Sequence, residues 1–219
     1  MTATKKPRKH HHLSRESIAR AALELIDSEG IDAFSLRRLA QSLKVSAMSL
    51  YTYATDKDGI IRDVVALLLS EVVVVEDPAV RWEEAVLAGG KSLRAMALRH
   101  PRAWPLVALA PYDTWPMTAY GRRVDEALMR QGLPRELLPL LGSVIDAYAT
   151  GFLLLETKAL ATPVASTASP FDGELQPPAP LYAMAHPEEA FDEGGRTIIA
   201  GLKARFGLAS GAPAREGDC

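Results

Sequence analysis

The chain has one cysteine, Cys219 at its last position, and aromatic residues make up only 6% of its 219 residues. A single thiol excludes an internal disulfide framework and a cysteine-based zinc site, and it fits a reducing, cytoplasmic location. The N-terminus, MTATKKPRKHHHLS, is basic but lacks the apolar core of a signal peptide. The most apolar run, Val64 to Val75, is interrupted by Glu71 and is too short to span a bilayer, so no membrane insertion is expected. The patterns GxGxxG, HExxH and GxSxG are absent, as is any nucleophile–base pair, so catalysis and a bound cofactor are not expected. His10 to His12 are three flexible ligands with no supporting shell, and no metal site is expected there. Strand-like alternation and internal repeats are also missing.

What is present is helical periodicity and an uneven distribution of charge. Residues 1–62 carry 11 Lys and Arg against 7 Asp and Glu, whereas residues 63–219 carry 14 against 20. A basic front on an acidic body places any polyanionic partner at the front. Residues 1–13 read as a disordered basic arm, which either follows a phosphate backbone or has no role. A helix starts at Ser14, carries Ile18, Ala21, Ala22, Leu25 and Ile26 on one stripe, and ends at Gly30. Ser35 caps a second helix to about Leu43, Ser46 a third to about Tyr53, and Asp56 begins a fourth. In the body, helices are predicted over 85–98, 117–129, 137–160 and about 187–206. Residues 162–180, rich in Pro, Ser and Thr, read as a mobile loop, and residues 209–219 as a disordered tail.

Two short helices meeting at a tight corner behind a supporting helix form a helix-turn-helix, whose second member can enter the major groove of B-DNA. Leu39, Ala40, Leu43, Val45 and Leu50 supply its small core. The pattern also allows three helices packed for stability alone. The corner prefers glycine for its left-handed backbone, and Lys44 stands there instead.

The stretch ALELIDSEGIDAFSLRRLAQSLKVSAMSLYTYATDKDGIIRDVV resembles the N-terminal DNA-binding domain of the TetR family of transcriptional regulators. Agreement runs from about Arg15 to Val65 and includes Glu29-Gly30, Leu39-Ala40, Val45-Ser46, Leu50-Tyr51 and Lys57. LRAMALRHPRAWPLVALAP, MTAYGRRVDEALMRQGLPRELL, IDAYATGFLLLE and GGRTIIAGLKARF follow one another as in the tetracycline-repressor branch, more loosely. The resemblance implies an all-α homodimer. A three-helix DNA-binding domain at 14–62 would be joined by a helix to a larger ligand-binding and dimerisation domain at 63–208. It further implies a repressor that leaves its double-stranded DNA operator when a small molecule binds the body. An activator or corepressor-dependent regulator with the same DNA-binding domain is the alternative.

By position in that family, Ala47, Met48, Ser49 and Thr52 would face base edges, with Arg37 reaching a guanine from the preceding helix. Ser46, Tyr51, Tyr53 and Lys57 would complete the DNA contacts, Lys57 with help from the positive end of its helix, and Lys44 would reach a phosphate. Arg38 reads as a solvated residue. In the body, Met96, Trp104, Tyr112, Trp115, Met117, Tyr120, Tyr148 and Phe152 suit an apolar or aromatic effector, and His100, Arg102, Asp113 and Glu156 are the polar candidates. Where the tetracycline repressor anchors magnesium through a histidine, this chain reads Val107-Ala108-Leu109, which argues against a magnesium–tetracycline ligand. Dimerisation would use the apolar segment 137–155 and the stripe Ile198, Ile199, Leu202, Phe206, with Gly142, Gly194, Gly195 and Gly201 allowing close approach.

Overall fold

A computed structural model describes residues 13–52, 56–161 and 186–208. The expected arm up to residue 12, the loop at 162–180, the tail from 209, and Tyr53 lie outside the described residues. Among those described, every regular element is helical, as expected for an all-α chain. The chain divides into two compact units, and the division falls between Leu67 and Leu68.

In the first unit, α1 (Arg15–Glu29) starts at Ser14 through a reciprocal cap. Ser14 Oγ accepts from the Ser17 amide at 3.1 Å, and Ser17 Oγ accepts from the Ser14 amide at 2.9 Å. Such a cap is worth about 1 kcal/mol. The buried stripe of α1 is Ile18, Ala19, Ala22, Leu23 and Ile26. Ala21 and Leu25, expected inside, are half-buried. Both edges of this helix are apolar, so periodicity alone does not choose between them, and the packed neighbours do.

α2 (Leu36–Leu43) is capped by Ser35, whose Oγ accepts from the Arg38 amide at 3.3 Å. α3 (Ala47–Tyr51) is shorter than expected and ends at Thr52. α4 (Lys57–Ser70) begins at Asp56, whose Oδ1 accepts from the Gly59 amide at 2.6 Å. Leu39, Leu50, Ile60 and Val64 are among its fully buried residues, one or more from each of these three helices. Truncating one such leucine to alanine typically costs 2–5 kcal/mol.

The second unit is built from α5 (Trp82–Arg99), α6 (Trp104–Ala108), α7 (Met117–Arg130), α8 (Leu138–Ala161) and α9 (Pro187–Phe206). Trp82 and Ala85 of α5, Leu128 of α7, Leu133, Leu141 of α8 and Ile199 of α9 form one buried cluster. Polar ties fix the same helices. Arg94 of α5 grips Glu156 of α8 with two hydrogen bonds, at 3.0 and 2.6 Å. Lys203 of α9 donates to Glu83 of α5, and Gln131 Nε2 donates to the carbonyls of Val75 at 2.7 Å and Asp77 at 3.1 Å. Tyr148 of α8 donates its hydroxyl to the carbonyl of Phe191 at 2.9 Å and stacks on that ring. A Cβ at Gly194 would lie 2.1 Å from that hydroxyl, so Gly194 serves packing inside the chain. Ile199 and Gly195 are likewise buried within the unit. Of the glycines expected at a dimer interface, Gly142 and Gly201 are exposed.

Glu83 gives this unit a definite pH dependence. Burial pushes its carboxyl up, but the hydrogen bond from Lys203, a backbone amide and nearby cations pull it further down, leaving it below the usual carboxylate range. A depressed carboxyl stabilises the fold above its unfolded value and loses that contribution as pH falls through the folded one. Glu83→Gln is therefore expected to lower stability at pH 7 by about 1.5–3 kcal/mol. The gap should shrink as the pH drops through the acid range, as read by urea unfolding at a series of pH values. A gap that stays constant with pH would remove this pair as its source.

Candidate nucleic-acid interface and ligand cavity

The corner between α2 and α3 takes the left-handed conformation anticipated for it, with Lys44 at φ 57° and ψ 37°. It is the one non-glycine residue with positive φ among those described. The Val45 amide reaches back to the Ala40 carbonyl at 3.0 Å, a bond that closes the end of α2. Ser46 then opens α3, its Oγ accepting from the Ser49 amide at 3.2 Å. Three residues thus end one helix and begin the next, and Leu39, Ala40 and Leu50 are buried behind them.

On the outer side, Met48 is 76% exposed, and Arg37, Lys44, Ser46 and Thr52 are also exposed. Ser49 is half-buried, and its hydroxyl lies 2.8 Å from that of Ser46. The side chains of Ala47 and Tyr51 lie outside the described residues. Arg38 is not merely solvated, because it is ion-paired with Glu29. Lys57 is exposed, with its ammonium 5.5 Å from the centre of the buried Phe34 ring. The Asp56 carboxylate already occupies the Gly59 amide, so the help expected from the positive end of α4 is partly taken.

The second unit holds a cavity of about 580 Å³. α5 contributes Val86, Gly89, Gly90 and Leu93 to its wall. Of the sequence-predicted residues, Trp104, Tyr112, Met117 and Tyr120 line it. Val107 and Ala108 line it too. Met96 is fully buried elsewhere in the core. His100 turns the chain between α5 and α6 and faces Glu71 at 3.5 Å. Glu156 is held by Arg94, and Tyr148 and Phe152 form an aromatic cluster with Phe191. Trp115 is half exposed and, like Arg102 and Asp113, does not line the cavity.

Sequence reasoning missed Asp125, Ser143, Asp146 and Thr150 in the cavity wall, together with the segment Val73 to Val75. A signal existed for Asp146, the one acid between residues 137 and 155 in an otherwise apolar helix. Tyr112 donates its hydroxyl to Asp146, and that bond, with burial and the nearby charge, pushes the phenol up to about 12. Burial, opposed by Arg123 and assisted by Asp146, pushes Tyr120 up to about 12 as well. Both phenols are neutral hydrogen-bonding groups at physiological pH.

Residues 18–64 match the sequence model of the bacterial regulatory proteins of the tetR family. Over nine-tenths of its length the chain is 30% identical to ActR of Streptomyces coelicolor, covering 98% of it with a TM-score of 0.71. The chain belongs to the TetR family of transcriptional regulators. ActR, described as a TetR family protein, has also been solved with actinorhodin, and against that structure the TM-score is 0.72 at 29% identity, with 89% of this chain and 99% of ActR covered. An HTH-type transcriptional regulator of Saccharopolyspora erythraea is 27% identical over 90% of this chain and 87% of its own. The class E tetracycline repressor protein of Escherichia coli is 24% identical over 94% and 98%. As a TetR-family protein the chain is a helix-turn-helix DNA-binding regulator, and not an enzyme.

The corner residue yields a direct test. A side chain in the left-handed region costs roughly 1 kcal/mol or more. Lys44→Gly should therefore raise the stability of the first unit by about 1 kcal/mol, less the entropy that glycine adds to the unfolded chain. Thermal unfolding followed by circular dichroism checks this, and a lowered midpoint would show that the lysine side chain stabilises the corner.

Proposed function

We propose that this regulator is a dimeric, sequence-specific repressor that is released from its operator by a small, largely apolar or aromatic effector. The observation that carries the reading is the large apolar cavity in the same chain as the helix-turn-helix. The names of the relatives support it: one has been solved in complex with actinorhodin, and another is called a repressor. Arg37, Met48 and Thr52 are the proposed readers of sequence, and Lys44 and Lys57 the proposed phosphate contacts.

A two-fold operator needs a two-fold protein. α8 supports this reading through its surplus of apolar surface: Leu140, Val144, Leu155 and Leu160 are exposed on it, as is Phe206 of α9. By length and composition the segment Arg135–Lys158 resembles a membrane span, but the fold it shares with ActR favours a partner helix as its cover. Release would follow from a population shift, in which the effector binds better to a form whose two α3 helices are wrongly spaced for the operator. The protein would then work in the cytoplasm, beside its DNA.

A gel shift with the DNA upstream of its own gene tests the reading. Arg37→Ala and Met48→Ala are each expected to weaken operator binding by about ten-fold or more, since a base contact is worth roughly 1–3 kcal/mol. Unfolding midpoints should not change, because both side chains are exposed. A folded dimer that gives no sequence-specific shift at moderate salt would sink the proposal. An effector that tightens the shift would reverse the sign of regulation. Val144→Asp with Leu155→Asp is expected to give a monomer by light scattering, with operator binding lost. A dimer that survives both substitutions places the interface elsewhere.

A further inference from the structure

The charge inside the cavity is of one sign. Asp125 and Asp146 are in its wall with the neutral phenols of Tyr112 and Tyr120, and no Lys, Arg or His is among the described residues that line it. Arg123 is close enough to Tyr120 to affect its phenol, but it is ion-paired with Glu76 and does not offset the two acids. Asp146 already accepts the Tyr112 hydroxyl, which fixes its carboxylate at the α8 wall. Asp125 has no hydrogen-bond partner among the described residues, and partial burial pushes its carboxyl up. Asp125 is solvent-exposed where it lines the cavity, so it is free to meet a cation, which would find two negative charges and no positive one in the wall.

We infer that the cavity selects cationic aromatic ligands: a flat apolar body bearing a protonated amine that faces Asp125 and Asp146. Anionic ligands of the same shape are rejected, because they would sit against two carboxylates with no cation to meet them. The inference rests on the reading of this cavity as the effector site. It narrows that reading from apolar or aromatic molecules in general to those with positive charge.

Three fluorescent probes that share one ring system provide the test: 9-(aminomethyl)anthracene, 9-(hydroxymethyl)anthracene and anthracene-9-carboxylate. Binding to the full-length protein is followed by fluorescence anisotropy at pH 7. The amine is expected to bind about ten-fold or more tighter than the alcohol, in line with a hydrogen bond to a charged group, and the carboxylate weakest of the three. Asp125→Asn and Asp146→Asn should each remove most of the amine's advantage and leave the alcohol within about two-fold, the alcohol also reporting that the cavity is still formed. Carboxylate or alcohol binding as tight as the amine, an amine that does not bind, or an advantage that survives both substitutions would each overturn the inference. Gel shifts of the same samples separate the two readings. Failure of the unsubstituted protein to shift operator DNA when no probe is present would sink the repressor proposal, while the order of the three probes still decides the ligand class.

Discussion

Recognition by this protein depends on how the chain turns between α2 and α3. Lys44 in the left-handed region, the Val45 amide bonded back to Ala40, and Ser46 capping α3 together set the direction in which α3 leaves the corner. The apolar residues behind the corner are few, Leu39, Ala40 and Leu50, and all three are buried. The exposed positions Arg37, Met48 and Thr52 inherit their relative placement from this turn. A short helix without a charged residue can read DNA only if it is held firmly, because few contacts must supply all the discrimination.

The second unit solves a different problem, that of keeping a space open. A cavity of about 580 Å³ loses the dispersion contacts that a filled core would make, so its walls need other support. That support comes from helix pairs tied outside the cavity: Arg94 with Glu156, Lys203 with Glu83, and Gln131 with the carbonyls of Val75 and Asp77. These residues connect α5 to α8, α5 to α9, and the end of α7 to the segment before α5. The wall residues are thereby left free to serve an occupant.

Most of the fold was legible in the sequence because caps and breaks are local. Ser14, Ser35, Ser46 and Asp56 mark helix starts by hydrogen bonds to amides no more than three residues away. The inner face of α1 was read one edge off, since Ala19 and Leu23 are no more apolar than Ala21 and Leu25 and the choice is made by other helices. The cavity was legible only in part. Trp104, Tyr112, Met117 and Tyr120 could be picked out as aromatic and methionine residues near proline breaks. Glu156 and His100 were misplaced because their partners, Arg94 and Glu71, are distant in sequence, and no spacing rule shows which of several acids will meet which base.

Tyr148 and Gly194 have a mechanical consequence. The tyrosine hydroxyl fills the space that a side chain on α9 would otherwise take, and it is bonded to the carbonyls of Ala190 and Phe191 just before it. α8 therefore cannot slide along α9, or roll against it, without driving the phenol into backbone or tearing it from both acceptors. The two helices are thus pinned together at Tyr148, one residue from Ala149 in the cavity wall.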